Sequence, residues 1–361
     1  MQMKNDGFQV GLLGAGWWAA EAHLPAIAGH PRARIAAIQT RSAEKAAKLL
    51  AQFDIGVAVT TAEELLALPG LDAVIISSTP QVHYAQAKAA LERGLHVLIE
   101  KPMTLGAAES AELLALAEEK GVQFLISCPW HYTRHGVLAR ERIAAGALGD
   151  IRLVNIFMTN VTLGFYEAKP FAEALAGCDG VDASATPLIE PQITSYSDPA
   201  TAGGGHIYCQ ASHIFAYLGF LTGLEPREIS ARFDDGGTAV DATNVVHITM
   251  AGGALVSLGT IATHADVDRY FEVRIVGTKG ILALELWKGT FRLRLSNGEE
   301  EEPSPLTAEE IYPKFDPAIN FVDAALGLAP NRSPASLGHY AMRLIEASCQ
   351  SAAQGRPIKL G

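Results

Sequence analysis

Residues 8–19 read FQVGLLGAGWWA, and this stretch decides the fold. Phe8 to Leu13 reads as a buried strand, and a helix is expected to begin near Trp17. Between them Gly14-Ala15-Gly16-Trp17-Trp18-Ala19 fits the pattern G-x-G-x-x-A. The first glycine makes a tight turn. The second lets backbone amides approach a pyrophosphate. The small third residue lets the helix pack on the strand, with the phosphates at the helix N-terminus. A strand before and a helix after supply the context that the pattern needs. Gly14, Gly16, Trp17 and Trp18 are therefore expected at a dinucleotide site.

Arg34 to Ile38 reads as the second strand. In NAD sites an acid at the tip of that strand holds the ribose 2′-hydroxyl. The tip here reads Gln39-Thr40-Arg41-Ser42, and the next acid, Glu44, falls in the following helix. A guanidinium suits a 2′-phosphate, and the two hydroxyls can bond it. Thr40, Arg41 and Ser42 thus favour NADP over NAD. If Arg41 is a solvated first-turn residue instead, both cofactors stay open. The chain then alternates: helices over 42–51, 63–68, 81–93 and 106–120, strands over 72–76, 97–99 and 123–126. That alternation means a parallel, doubly wound sheet.

A second stretch, residues 96–105, reads HVLIEKPMTL. It places Glu100, Lys101 and Pro102 at the carboxyl end of a strand, where open α/β sheets bind ligands. A lysine held there by a rigid element is a candidate for chemistry. Its plain alternative is a surface turn lysine. Thr79, Pro80 and His83 stand at another such end and, with Glu100, are expected on the nicotinamide side. His83 reads more readily as a helix-start residue than as a catalyst.

Composition excludes several classes. The chain has 361 residues, 49% hydrophobic and 19% charged, which fits two packed domains and not disorder. The net charge of −11 disfavours nucleic acid and anionic membranes. Cys128, Cys178, Cys209 and Cys349 lie far apart with no CxxC pair, as in a cytoplasmic protein with reduced thiols. The N-terminus lacks the apolar core of a signal peptide, and no apolar run is long enough to span a bilayer.

The strings GLLGAGWWA, STPQVHYAQAKAALERGLHVLIEKP and IAAGALGDI resemble the Gfo/Idh/MocA oxidoreductase family, over about the first 155 residues and more weakly beyond. The resemblance implies an α/β protein: an N-terminal Rossmann domain, then an α/β domain on a large, mostly antiparallel open sheet. It implies that the nicotinamide sits where the two meet. It makes Lys101 the active-site lysine, with a peptide bond before Pro102 that is often cis. Relatives carry GGG, an Asp, and a His four residues later. Mapped here, His213 is the general acid/base, since an imidazole titrates near operating pH. Cys209 stands at the Asp position and cannot replace a carboxylate base unless its thiol is strongly acidified. Gln210 is the candidate to orient substrate in its place. Where relatives show Asn-Arg, this chain has Pro129-Trp130-His131-Tyr132. Trp130 and Tyr132 either stack on a sugar face or pack between domains. His206, Cys209 and His213 share a helical face at metal-ligand spacing, but no fourth ligand is visible and no metal is expected.

Residues 163–202 show no clear period and suggest a lid, binding loop or contact segment. Strand-like runs follow at 227–233, 243–250, 254–262, 269–276, 280–286 and 290–295, separated by hairpin signals. The expected division is 1–127 (dinucleotide binding), 128–310 (substrate and oligomerisation) and 311–361 (a helical brace on the first domain). The expected activity is hydride transfer between nicotinamide and a secondary alcohol or ketone of a sugar, inositol or related polyol. An NAD-dependent glycosidase and a non-catalytic, sensor- or repressor-like cofactor binder are the alternatives. A small-molecule substrate and a homodimer or homotetramer, formed through the C-terminal sheet, are the expected partners.

Overall fold

A computed structural model describes residues 7–175, 187–264 and 267–361. The chain divides into two compact units. The first runs to Pro129 and takes up a short stretch ending at Ser195 and the segment Lys314–His339. It holds six strands: β1 (Phe8–Leu13), β2 (Ala33–Gln39), β3 (Ile55–Val59), β4 (Ala73–Ile76), β5 (His96–Ile99) and β6 (Phe124–Ile126). All pair in parallel, in the order β3-β2-β1-β4-β5-β6. The strands read as apolar runs because helices cover both faces; β4, AVII, is buried at every position. The order reverses between β1 and β4, and a ligand crevice is expected outside the carboxyl ends there. Gly14 follows β1, Thr79 follows β4, and Glu100 and Lys101 follow β5 directly.

The sequence reading left out β3. It is an edge strand, IGVAV, with two exposed positions, and its second residue is glycine. A side chain at Gly56 would come within 2.5 Å of the Ala36 carbonyl oxygen, so the glycine marks a close strand approach and not a loop. Segment Lys314–His339 is part of this unit's core. Helix Asp316–Ala325 gives it Ala318, Phe321 and Val322. Ser333 donates its hydroxyl to the Ile126 carbonyl, and its own carbonyl accepts the Ile126 N–H.

The second unit begins at Trp130, resumes at Tyr196 and runs to Pro313, and closes with Tyr340–Gly361. Its sheet has nine strands: β7 (Ile151–Val161), β8 (Pro226–Asp234), β9 (Thr243–Met250), β10 (Leu255–Thr263), β11 (Tyr270–Gly277), β12 (Gly280–Glu285), β13 (Thr290–Leu295), β14 (Glu300–Glu301) and β15 (Ile358–Lys359). The order is β14-β13-β12-β11-β7-β10-β9-β8-β15. Among the described residues only β7 and β10 run parallel, and every other pairing is antiparallel. One face is covered and the other open. In β9 Asn244, Val246, Ile248 and Met250 are buried while Val245, His247 and Thr249 are exposed. Leu153, Phe157, Val245, Leu255 and Ile281 are large exposed apolar residues on these strands. The C-terminal segment therefore does not brace the first unit alone: it is shared, and β15 pairs with β8.

Residues 163–202 contain more order than their composition suggests. Single helical turns occur at Leu163–Tyr166, Phe171–Ala174, Thr194–Ser197 and Pro199–Ala202; residues 176–186 lie outside the described set. The helical face expected to carry His206, Cys209 and His213 is interrupted at Gln210, which separates helices His206–Cys209 and Ala211–Thr222. His206, Cys209 and His213 thus share no continuous helical face, and no metal-binding group of three occurs among the described residues. Asp241 fixes the start of the first piece. Its side chain accepts the N–H groups of Gly205 (2.8 Å) and Ile207 (2.7 Å), and its carbonyl accepts that of His206 (2.8 Å). Gly205 is required because a Cβ there would lie 2.0 Å from the Asp241 carbonyl oxygen. Gly205→Ala is expected to destabilise the protein by about 1–3 kcal/mol, the range for overpacking against a site that cannot shift. Thermal unfolding measures it.

Candidate active site

The first unit gathers three strand ends. At the end of β1, Gly14 has φ +81°, and a Cβ on it would lie 2.4 Å from the Ser78 backbone beyond β4. Only glycine permits that conformation and that approach. At Gly16 a Cβ would meet nothing nearer than the Gly14 carbonyl oxygen at 3.9 Å, so the position is uncrowded. A tight turn, open room and a helix start at Trp17 are what a dinucleotide's pyrophosphate needs, so these residues fit that group. Gln39 closes the turn: its Oε1 accepts the Gly14 N–H at 3.2 Å and its Nε2 donates to the Thr60 carbonyl at 2.9 Å. The sequence reading assigned Gln39 no part. Its signal was its place as the last residue of β2, directly across from the glycines.

At the tip of β2, Ser42 caps helix Ala43–Gln52 by accepting the Lys45 N–H, and Thr40 Oγ1 accepts the Ser42 N–H. Arg41 is exposed and makes no hydrogen bond or ion pair among the described residues. Thr79 and Pro80 open helix Pro80–Glu92, with the proline at a position that needs no N–H. His83 is fully buried. Its Nδ1 lies 2.9 Å from the Pro102 carbonyl oxygen and its Nε2 3.0 Å from that of Ser78. Burial pushes this imidazole below its ordinary range, so the neutral ring donates to one carbonyl at a time. Where a nicotinamide contact was expected, His83 instead clasps the loop after β4 to the loop after β5.

The Lys101–Pro102 bond is cis, and Lys101 is half-buried. Glu100, before it, is buried and turned inward, away from the cofactor contact expected of it. Its Oε1 accepts from Trp18 Nε1 and from His23 Nε2, each at 2.9 Å, and its Oε2 accepts the Lys101 N–H at 3.2 Å. Trp18 therefore presents its indole N–H to Glu100. Burial opposes ionisation of this carboxyl; the hydrogen bond and charge of His23, then Lys101 and Ser127, outweigh it and hold Glu100 below its ordinary range. His23 escaped the sequence reading. Its only signal was a lone histidine within the apolar run AAEAHLPAI.

In the second unit Cys209 is half-buried, and Gln210 and His213 are buried. Gln210 Oε1 accepts from Asn160 Nδ2 at 2.8 Å, and its Nε2 lies 3.5 Å from Cys209 Sγ. Asn160, near the end of β7, is a partner that sequence reasoning missed. His213 meets Trp130 edge to face at 5.1 Å. Trp130 is also ringed by Phe271, Trp287 and Tyr312 at 4.9–5.4 Å. At 2% exposure it has no face to offer a sugar, and Tyr132 is buried as well. Of the two readings of this segment, packing is the one observed for Trp130: it backs His213. His206 belongs to an internal cluster, with Nε2 2.7 Å from Thr260 Oγ1 and Nδ1 3.2 Å from the Tyr166 hydroxyl. Burial drives its pKa down to about 3.

Comparison with known proteins agrees with this geometry. A family model described as an oxidoreductase family with NAD-binding Rossmann fold matches residues 8–127, and a GFO/IDH/MocA C-terminal domain model matches residues 181–283. An uncharacterised oxidoreductase of Synechocystis is 29% identical over 293 residues, covering 78% of this chain and 72% of its own length. A 1,5-anhydro-D-fructose reductase of Ensifer adhaerens is 27% identical over 312 residues, 84% of each chain. Among solved structures, levoglucosan dehydrogenase in complex with NADH superposes with a TM-score of 0.77 at 19% identity, covering 98% of this chain and 99% of that one. The protein is thus an NAD(P)-dependent oxidoreductase acting on CH–OH groups. More narrowly, the chain belongs to the Gfo/Idh/MocA oxidoreductase family.

The Glu100 network carries a pH signature. A carboxyl whose folded pKa lies below its ordinary 4.5 stabilises the fold fully above that value, and the contribution is lost as pH falls through the folded pKa. Glu100→Gln is therefore expected to cost about 2–4 kcal/mol at neutral pH, the range for breaking a buried charge network. The gap to the parent protein should narrow below pH 4.5 in urea unfolding measured across pH; a gap that does not change with pH would exclude an ionised Glu100.

Proposed function

We propose that this protein is an NADP-preferring reductase or dehydrogenase of a sugar, inositol or related polyol. Gly14 and Gly16 admit the pyrophosphate. Trp17 flanks that turn, Thr79 and Pro80 border the nicotinamide side, and Arg41, with the Thr40 and Ser42 hydroxyls, holds the 2′-phosphate. When bound, the nicotinamide supplies or accepts the hydride. Lys101 orients the reacting oxygen and stabilises it as alkoxide. His213 gives or takes the alcohol proton, held in place by Trp130. Gln210, fixed by Asn160, orients substrate where a carboxylate is replaced by Cys209.

The observation that carries this reading is the lysine. A half-buried Lys101 stands at the carboxyl end of β5 with its backbone N–H anchored, two strands from the glycine turn on the same sheet edge. The NADP preference rests on Arg41, exposed and unengaged at the tip of β2, and on the lack of an acid there. Cys128 and Cys349, unbridged among the described residues, support a cytoplasmic setting. The apolar residues on the open sheet face support a homodimer or homotetramer built on that face.

Calorimetric titration with NADPH and NADH tests the cofactor. NADPH is expected to bind about tenfold tighter or more, the value of one charge-assisted phosphate contact, and Arg41→Asp should abolish the difference. Equal affinities in the parent protein would rule out the role of Arg41. Turnover is tested with NADPH and 1,5-anhydro-D-fructose, and with NADP and levoglucosan or inositols. Lys101→Met should lower kcat by about 100-fold or more, as for removal of an oxyanion donor. Tight cofactor binding with no turnover of any polyol would favour a non-catalytic binder. Sedimentation tests the assembly: Phe157→Lys should shift the protein towards monomer.

A further inference from the structure

We propose that His23 and Trp18 are positioning residues that set the aim of Lys101 through Glu100. The inference rests on the reading above only in giving Lys101 its part in the reaction.

Trp18 stands in the first turn after the glycine loop. His23 closes a wide helical turn, Ala19–His23, in which the Leu24 N–H reaches back five residues to the Ala19 carbonyl. In an ordinary α-helix, residues five apart point ~140° away from each other. The wider turn brings them back towards one side, which is why such turns recur where a helix must present particular side chains. Both side chains here donate to the same atom, Glu100 Oε1, at 2.9 Å. The other oxygen accepts the backbone N–H of Lys101. The carboxylate is thus pinned at both ends, by the cofactor helix on one side and by the lysine's own backbone on the other.

His23 has no second task. It is 1% exposed, and its Nδ1 has no hydrogen-bond partner among the described residues. Its one polar contact is with Glu100. A buried histidine with an unpartnered nitrogen and a strained turn beneath it costs stability. The contact it makes gives the compensation: without it Glu100 is held by Trp18, Ser127 and the Lys101 N–H alone, and its Oε1 is less firmly fixed. The Lys101 backbone then loses a fixed acceptor. Because Trp18 also borders the glycine turn, the cofactor loop and the lysine are held as one piece.

The test uses His23→Leu, His23→Gln and Trp18→Phe in the full chain. With NADPH and 1,5-anhydro-D-fructose, His23→Leu should lower kcat by about 10- to 100-fold, the effect of a small misplacement of a reacting group. KM and the NADPH affinity should stay within about threefold. His23→Gln, whose amide can donate to Oε1, should recover most of the rate, and Trp18→Phe should fall between. A second readout needs no turnover. Lysines are reductively methylated with ¹³C, and the Lys101 signal is assigned by its loss in Lys101→Arg. It should move in His23→Leu and return in His23→Gln, while the Lys88 and Lys359 signals stay put. If the parent protein turns over no sugar, the functional reading fails, and the lysine spectra still decide this inference. A Lys101 signal and a kcat both unchanged in a folded His23→Leu protein would overturn it, as would equal losses in the Leu and Gln variants.

Discussion

A carboxylate removed from water must be met by donors, and Glu100 sets that demand at the centre of the first unit. The idealised cost of burying such a charge exceeds the net stability of a typical domain. The donors that meet it come from the helix after β1, from the backbone that follows β5 and from Ser127 after β6. The one charge therefore ties together three segments far apart in sequence. His83 makes the matching tie between the loops after β4 and β5, with backbone carbonyls in place of a charge. Lys101 stands between these two fastenings. The carboxyl edge of the sheet is thus fastened by polar groups engaged with one another.

The same economy explains residues that look functional and are not free to be so. Trp130 is enclosed by four rings and supports His213 from behind. Asp241, the carboxylate nearest to the GGG segment, is fully committed to backbone amides and to Asn244. It holds the helix start and does not stand in for the acid missing at Cys209. Arg41, by contrast, is exposed at the tip of β2 and makes no hydrogen bond or ion pair among the described residues.

Much of this was legible in the sequence. The glycine turn, the alternation of strand and helix, and the six later strands follow from period and from turn residues, which act locally. The Lys101 position followed from a strand end and a proline. What escaped notice depends on long-range contact. β3 carries a glycine whose reason is the neighbouring strand, so its local signal points to a loop. His23, Gln39, Asn160 and Asp241 are single polar residues, and their meaning lies in partners 25 to 80 positions away or across a sheet. Period cannot show that Trp130 is enclosed, since an aromatic residue looks the same whether it lines a pocket or a core.

The return of Lys314–His339 to the first unit matters for synthesis on the ribosome. A dinucleotide fold is commonly pictured as completing itself early, from the first residues to emerge. Here Ala318, Phe321 and Val322 fill its core, and Ser333 latches its last strand. The nascent chain must therefore hold a parallel sheet with part of its core unfilled while the 184 residues from Trp130 to Pro313 are made. Waiting exposes apolar surface, so the first unit is the part of this protein that most needs protection before release.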